Sequence, residues 1–135
     1  MKDRVKVVID TNVLVSALWS ENGNSAAIVK LIPNGIVPVF NDSIFEEYAE
    51  VLKRPKFAFS AEKRESLLAK MREYGAAITP KKSDIPIPDE TDRIFYDTAK
   101  ASVAILITGN KKDYPDEPFI LTPAEFLRKM GINGG

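Results

Sequence analysis

Two near-continuous apolar runs, Val5–Ile9 and Val103–Ile107, constrain this chain most. Both are rich in β-branched residues and neither alternates cleanly, the pattern of strands covered on both faces of a sheet. The first breaks off at Asp10-Thr11-Asn12 and the second at Thr108-Gly109-Asn110. Helical stretches fill the space between them, so the chain is expected to be α/β, with helices on both sides of a central, mostly parallel sheet. In such sheets ligands bind beyond the carboxyl ends of the strands, which is where both polar breaks fall.

The remaining elements follow from caps and stops. A helix is expected over Val13–Trp19, and a second from a Ser25 cap to about Ile32, stopped by Pro33-Asn34-Gly35. Ile36–Phe40 reads as a strand with Pro38 near its start or on an edge. Ser43-Ile44-Phe45-Glu46 reads as a capping box for a helix ending near Arg54-Pro55. Ser60 caps an amphipathic helix through Leu67, Leu68, Met71 and Tyr74, which Gly75 ends. A short strand at Ala76–Thr79, a loop over 80–90, a helix from Thr91 to about Ser102 and a strand at Phe119–Leu121 complete the alternation. Thr122-Pro123-Ala124-Glu125 opens the last helix with proline at its first position. Residues 1–132 are expected to form one domain and 133–135 a flexible tail.

Composition narrows the chemistry. The chain has no cysteine and no histidine. That excludes disulfides, thiolate metal sites, cysteine nucleophiles, serine–histidine triads and imidazole bases. Lysine plus arginine balances aspartate plus glutamate, 19 against 19, so nucleic-acid binding has to rest on a local patch. No signal-peptide pattern is visible, and no apolar run approaches the roughly 20 residues that span a bilayer. A protein of the reducing cytoplasm, without membrane segments, is the expectation.

Four polar residues gather at one edge if the strands are parallel. Asp10 and Asn110 follow the two apolar strands, Glu47 lies in the first turn of the helix after the second strand, and Asp92 in the first turn of the helix before the fourth. The 80–90 loop is long enough to carry the chain back to that edge. Each residue also has a structural role open to it: Asp10 as a helix cap, Glu47 and Asp92 as compensation of a helix dipole, Asn110 as a turn residue. As a set, clustered carboxylates repel one another and call for a cation. Without histidine or cysteine that cation is a hard one, magnesium or manganese.

The blocks VVIDTNVLVSAL, FEEYAEVLKRPKF, DETDRIFYDTAKAS and ILITGN, in that order and spacing, resemble the PIN-domain family, most closely its VapC-related toxins of toxin–antitoxin pairs. The resemblance implies a three-layer α/β/α fold with four or five parallel strands and an acidic cleft. It also implies a ribonuclease that uses Mg2+ or Mn2+ and leaves a 5′-phosphate and a 3′-hydroxyl. Carried over by position, Asp10, Glu47 and Asp92 are the first three family acids. The fourth position, often aspartate, is Asn110, which removes one negative charge. Asp97 is the candidate to compensate, with Asp113 a weaker one. Thr11 and Asn12 complete the first block, Asn12 orienting Asp10 through its amide.

Arg93, Lys111 and Lys112, with Lys53, Arg54 and Lys56, are the candidates to meet substrate phosphates. Tyr48, Trp19 and Tyr114 either pack or stack on bases. The resemblance further implies a cognate antitoxin that covers the cleft and a homodimer, for which the Ser60–Tyr74 helix is the candidate face. Asn110 also leaves open a weakened fold that binds RNA or a partner without cutting. Aspartyl-phosphate chemistry fits less well, because the D-x-D pattern it uses is Asp10-Thr11-Asn12 here.

Overall fold

A computed structural model describes residues 4–132; the expected 133–135 tail lies outside the described residues. Five parallel strands, β1 (Val5–Ile9), β2 (Ile36–Phe40), β3 (Ala76–Ala77), β4 (Ile105–Ile107) and β5 (Ile120–Leu121), form one sheet in the order β3-β2-β1-β4-β5. The apolar runs are interior as expected: β1 pairs with β2 through Val5↔Ile36 and with β4 through Val7↔Ile105. Val7, Val8 and Ile9 are wholly buried.

The helices are α1 (Thr11–Trp19), α2 (Asn24–Lys30), α3 (Asp42–Leu52), α4 (Ala61–Tyr74), α5 (Arg93–Ser102) and α6 (Pro123–Lys129). Crossovers from β1 to β2 and from β2 to β3 step one way along the sheet, and the crossover from β3 to β4 steps back. Because such crossovers are right-handed, the two directions place their helices on opposite faces. Accordingly α5 covers β2, β1 and β4. On the other face α1 packs on α2, α2 on α6, and Lys70 of α4 donates to the Val29 carbonyl of α2 at 3.1 Å.

Several local expectations hold. Ser60 accepts from the Lys63 amide at 3.1 Å, and Thr122 and Glu125 close a reciprocal capping box at the start of α6. Gly75 ends α4 for a steric reason. A Cβ there would lie 2.4 Å from the Met71 carbonyl and 2.5 Å from that of Pro38, so only glycine lets the chain pass between α4 and β2 into β3.

Others are corrected. Ser25 is buried inside α2; Gly23 holds the cap position, its carbonyl accepting from Ala27 at 3.1 Å. Ser43 and Glu46 form no capping box, because α3 starts earlier. Asn41 accepts from the Ile44 amide at 3.0 Å while donating to Thr98 Oγ1 at 2.9 Å and to the Ile78 carbonyl at 3.2 Å. One amide thus joins α3, α5 and the end of β3, a set of bonds a serine hydroxyl cannot make. The fourth strand begins at Ile105, not Val103. Val103 turns the chain out of α5 with a left-handed backbone (φ 53°) and is 87% exposed. The helix expected from Thr91 starts at Arg93, after a 3-10 turn at Glu90–Asp92 that Asp89 caps through the Thr91 amide.

Candidate active site

Asp10 leaves β1 at the carboxyl edge, its amide donating to the Ile107 carbonyl of β4 at 2.9 Å. It holds the cap position of α1, yet its side chain makes no capping bond. Instead Oδ2 accepts from Thr108 Oγ1 at 2.8 Å, Tyr114 Oη at 2.9 Å and Asn12 Nδ2 at 3.4 Å. Concentrating these donors on one oxygen fixes the carboxylate and leaves Oδ1 the less committed atom. Asn12 also accepts from the Gly109 amide at 3.0 Å, so it ties the loops after β1 and β4 together. The orienting role expected of Asn12 has this geometry.

Glu47 lies in the second turn of α3, not the first, because α3 begins at Asp42. Thr11 Oγ1 donates to Glu47 Oε2, joining the start of α1 to α3. Behind them Tyr48 is fully buried and donates to the Ile9 carbonyl, so Tyr48 packs and does not offer its ring to a ligand. Asp92 holds the cap position of α5 and, like Asp10, makes no capping bond.

These acids sense one another. Burial raises the Asp10 carboxyl above its ordinary value against the hydroxyl bonds that lower it, and the charge of Asp113 raises it further. Burial also raises Glu47, with Asp10 adding to the shift. Asp92 is pushed up to about 7, first by burial and then by the charges of Asp10, Asp113, Asp89 and Glu47. Burial raises the Tyr114 hydroxyl, with Asp10 and Asp92 adding, so it stays a neutral donor.

Asp113 is the acid that sequence reasoning undervalued. Asn110 does not substitute for a fourth acid; its Nδ2 donates to Asp113 Oδ1 at 3.0 Å and holds that carboxylate at the edge of the site. The 3-10 turn at Lys111–Asp113 brings Asp113 back, and spacing from the strand end alone does not reveal it. Thr108 and Tyr114 were also missed as partners of Asp10. Their signal was the direct succession of Thr108 to β4 in ITGN, which aims its hydroxyl at the neighbouring strand end.

Asp97 does not join the cluster. It is buried on another side of α5 and accepts from the Ser83 amide at 2.9 Å. Arg93 is also turned away. Its side chain is 12% exposed, pairs with Glu90 at 2.7 Å and donates to the Ser83 and Ile85 carbonyls at 2.9 and 2.8 Å. It fastens the 80–90 loop and is not offered to a substrate. Lys111 pairs with Glu125 at 3.1 Å, while Lys112 is exposed and without an ion pair among the described residues.

Residues 6–112 match the family described as PIN domain. The chain is also similar to an uncharacterized protein of Methanocaldococcus jannaschii, MJ1680, with 34% identity over 114 residues that cover 82% of this chain and 74% of that protein. The chain belongs to the PIN-domain family. Its five-stranded parallel sheet between helices is the PIN fold, a nuclease-type fold whose members generally use divalent metal ions. This PIN domain's donors at the edge are carboxylates and hydroxyls, the chemistry of a hard cation. Among the described residues no three carboxylates converge closely enough to ligate one ion together. The fit is therefore to a small hard ion that takes one or two carboxylates and keeps water in its other positions. Among the described residues no helix is long and apolar enough to cross a membrane.

Proposed function

We propose that this PIN domain, as a single domain over residues 1–132, is a Mg2+- or Mn2+-dependent endoribonuclease and the toxin of a toxin–antitoxin pair in the cytoplasm. The observation that carries the reading is the electrostatic pressure on Asp10, Glu47 and Asp92 around one strand edge, to which Asp113 adds; Arg54 offsets it weakly at Glu47, and none of these acids has an ion pair among the described residues. Like charges held together without a counter-ion favour binding one.

Asp10 and Asp92 are the residues that would hold the ion, with Glu47 and the Asn110–Asp113 pair around it. A bound divalent ion supplies Lewis-acid stabilisation of the phosphate charge and acidifies water. The protein's own groups do the rest. Tyr114, Thr108 and Asn12 hold Asp10 in one rotamer. Thr11 holds one Glu47 oxygen, leaving the other to accept a proton from the attacking water as it forms the bond to phosphorus. The bond to the 3′-oxygen breaks and that oxygen takes a proton from solvent, giving a 3′-hydroxyl and a 5′-phosphate, with the 2′-hydroxyl a bystander. Lys112, exposed and without an ion pair among the described residues, would meet the phosphate. Asp113 supports this reading over a weakened, binding-only fold, because it returns the charge that Asn110 lacks. An antitoxin covering the acidic edge and a homodimer through α4 belong to the same proposal.

Calorimetric titration of manganese into wild type and Asp92→Asn tests it before any RNA target is known. Binding by the wild type and its loss in the variant are expected. Absence of binding at millimolar manganese in both Asn110→Asp and wild type would remove the metal site from the proposal.

A further inference from the structure

At the far end of α1 and α3 lies a second surface that the acidic edge does not use. Trp19, the one tryptophan of the chain, is 63% exposed. It meets Phe57 and Phe59 edge to face, with ring centres at 6.2 and 6.0 Å, and those two rings stack on each other at 5.5 Å and 11°. Residues Phe57 and Phe59 face the same way because Ala58 between them takes a left-handed backbone, φ 54°. That conformation is unfavourable for a non-glycine residue, and it is retained in the turn that builds the cluster. The indole is thus held by two rings on one side and open on the other.

The segment that carries the two phenylalanines is basic, with Glu21 and Glu62 on the α1 and α4 side of the cluster. KRPKFAFS, residues 53–60, carries Lys53, Arg54 and Lys56 and no acid. Lys56 Nζ sits 5.2 Å from the Phe57 ring centre, and Arg54 pairs with Glu50 at 3.3 Å. Lys53 and Lys56 have no ion pair among the described residues. The surface also lines up with the acidic edge. Helices α1 and α3 pack side by side, Thr11 touching Glu47 at one end and Trp19 touching Phe57 beyond the other. From Thr11 to Trp19 is about 12 Å along the helix axis, a few nucleotides of single strand.

We infer that Trp19, Phe57 and Phe59 form a stacking platform for bases of single-stranded RNA, with Lys53 and Lys56 taking its phosphates, at a fixed offset from the acidic edge. The identity of the ligand rests on the ribonuclease reading. An exposed indole backed by two half-buried rings, beside cations without ion pairs, is what a sequence-tolerant single-strand site requires, since every base offers a π-face and every linkage a charge. A duplex keeps its bases stacked inside and does not fit.

The test uses full-length protein in EDTA, so that binding is read without cleavage. Trp19 is its own probe. A 12-nucleotide oligouridylate should quench the tryptophan emission saturably, and a blunt RNA duplex of equal length should not. By anisotropy of a labelled oligonucleotide, Trp19→Ala should bind about tenfold more weakly and Trp19→Phe nearer to wild type. The double variant Lys53→Ala/Lys56→Ala should flatten the log–log salt dependence by about 1.4, the contribution of two lost phosphate contacts.

Unchanged emission at saturating RNA, with Trp19→Ala binding as wild type does, overturns the platform. A blue shift that grows with protein concentration alone, lost in Trp19→Ala together with dimer mass in sedimentation, also overturns it, in favour of a second copy. The two readings fail separately. Quenching that persists in a protein that neither binds manganese nor cuts RNA keeps the platform and removes the nuclease. Cleavage whose KM is unmoved by Trp19→Ala keeps the nuclease and removes the platform.

Discussion

Asp10 and Asp97 are each 5% exposed, each belongs to or adjoins a helix that begins at the carboxyl edge, and they do opposite things. Asp97 accepts from the Ser83 amide, and the Arg93 guanidinium one turn back on α5 senses its charge. Its neighbourhood contains a cation, and its bonds fasten the 80–90 loop onto α5. Asp10 accepts only from neutral groups, Thr108, Tyr114 and Asn12, and the nearest charges are acids. Burial of a carboxylate therefore does not mark a site by itself. What marks it is burial with hydroxyl support and no internal cation, because such a group is stabilised by importing one.

The sharpest break of that comparison is at Asp10. Asp10→Asn is expected to weaken manganese binding and cleavage by more than about a hundredfold, roughly 2.7 kcal/mol, with the metal-free protein folding as before. Calorimetry and a cleavage assay read the first part, and a urea melt the second. Retention of manganese affinity within a few-fold would make Asp10 another structural aspartate.

The mirror experiment is Asp97→Ala. It should cost about 1–3 kcal/mol of stability by leaving the Ser83 amide without its partner. Metal affinity should stay unchanged. If Asp97→Ala instead abolished manganese binding in a folded protein, the division between the two aspartates would be wrong.

The strands and the acids Asp10, Glu47 and Asp92 were legible in the sequence because apolar continuity and position after a strand are local signals. The parts that were not legible depend on contacts between distant segments. Asn41 displaced the Ser43 capping box because its amide serves β3 and α5 as well as α3. Asp97 reads as a neighbour of the edge because it lies near Asp92 along the chain. Five residues along a helix rotate a side chain by about 140°, which carries it off the Asp92 face. Asp113 and Tyr114 were undervalued because only the 3-10 turn after Asn110 folds them back. Arg93 reads as a phosphate ligand beside Asp92 until the Ser83 and Ile85 carbonyls are seen to claim it.

The support under Asp10 gives a smaller effect. Tyr114→Phe removes one donor from Oδ2 and keeps the ring. Manganese affinity should fall about tenfold, as partners behind a metal ligand commonly contribute. Lys111→Ala, whose lost side chain is paired with Glu125, should leave it unmoved. Equal losses in both variants would point to general loosening of the 108–114 segment rather than to the Tyr114 hydroxyl.

The smallest effect is the pH dependence of the metal-free protein, and its sign separates the acidic edge from a structural ion pair. The Asp92 carboxyl rises from 3.8 unfolded to about 7 folded, chiefly through burial and the charges of Asp10 and Asp113. Between those values the folded state holds more protons than the unfolded state, so stability falls as pH rises. The full shift would be worth about 4 kcal/mol in a dry site. Asp92 is half-buried, and solvent screening reduces the expected loss to about 1 kcal/mol between pH 4 and pH 8. Asp10 and Glu47, both raised by burial, push in the same direction. Urea melts at pH 5 and pH 8 should therefore show wild type weaker at pH 8, and Asp92→Asn the more stable of the two there. Millimolar manganese should reverse the order at pH 8, since the ion binds only the folded carboxylates. A wild type that gains stability from pH 5 to pH 8 without metal would mean these carboxylates already have their counter-charge in the chain, as Asp97 does.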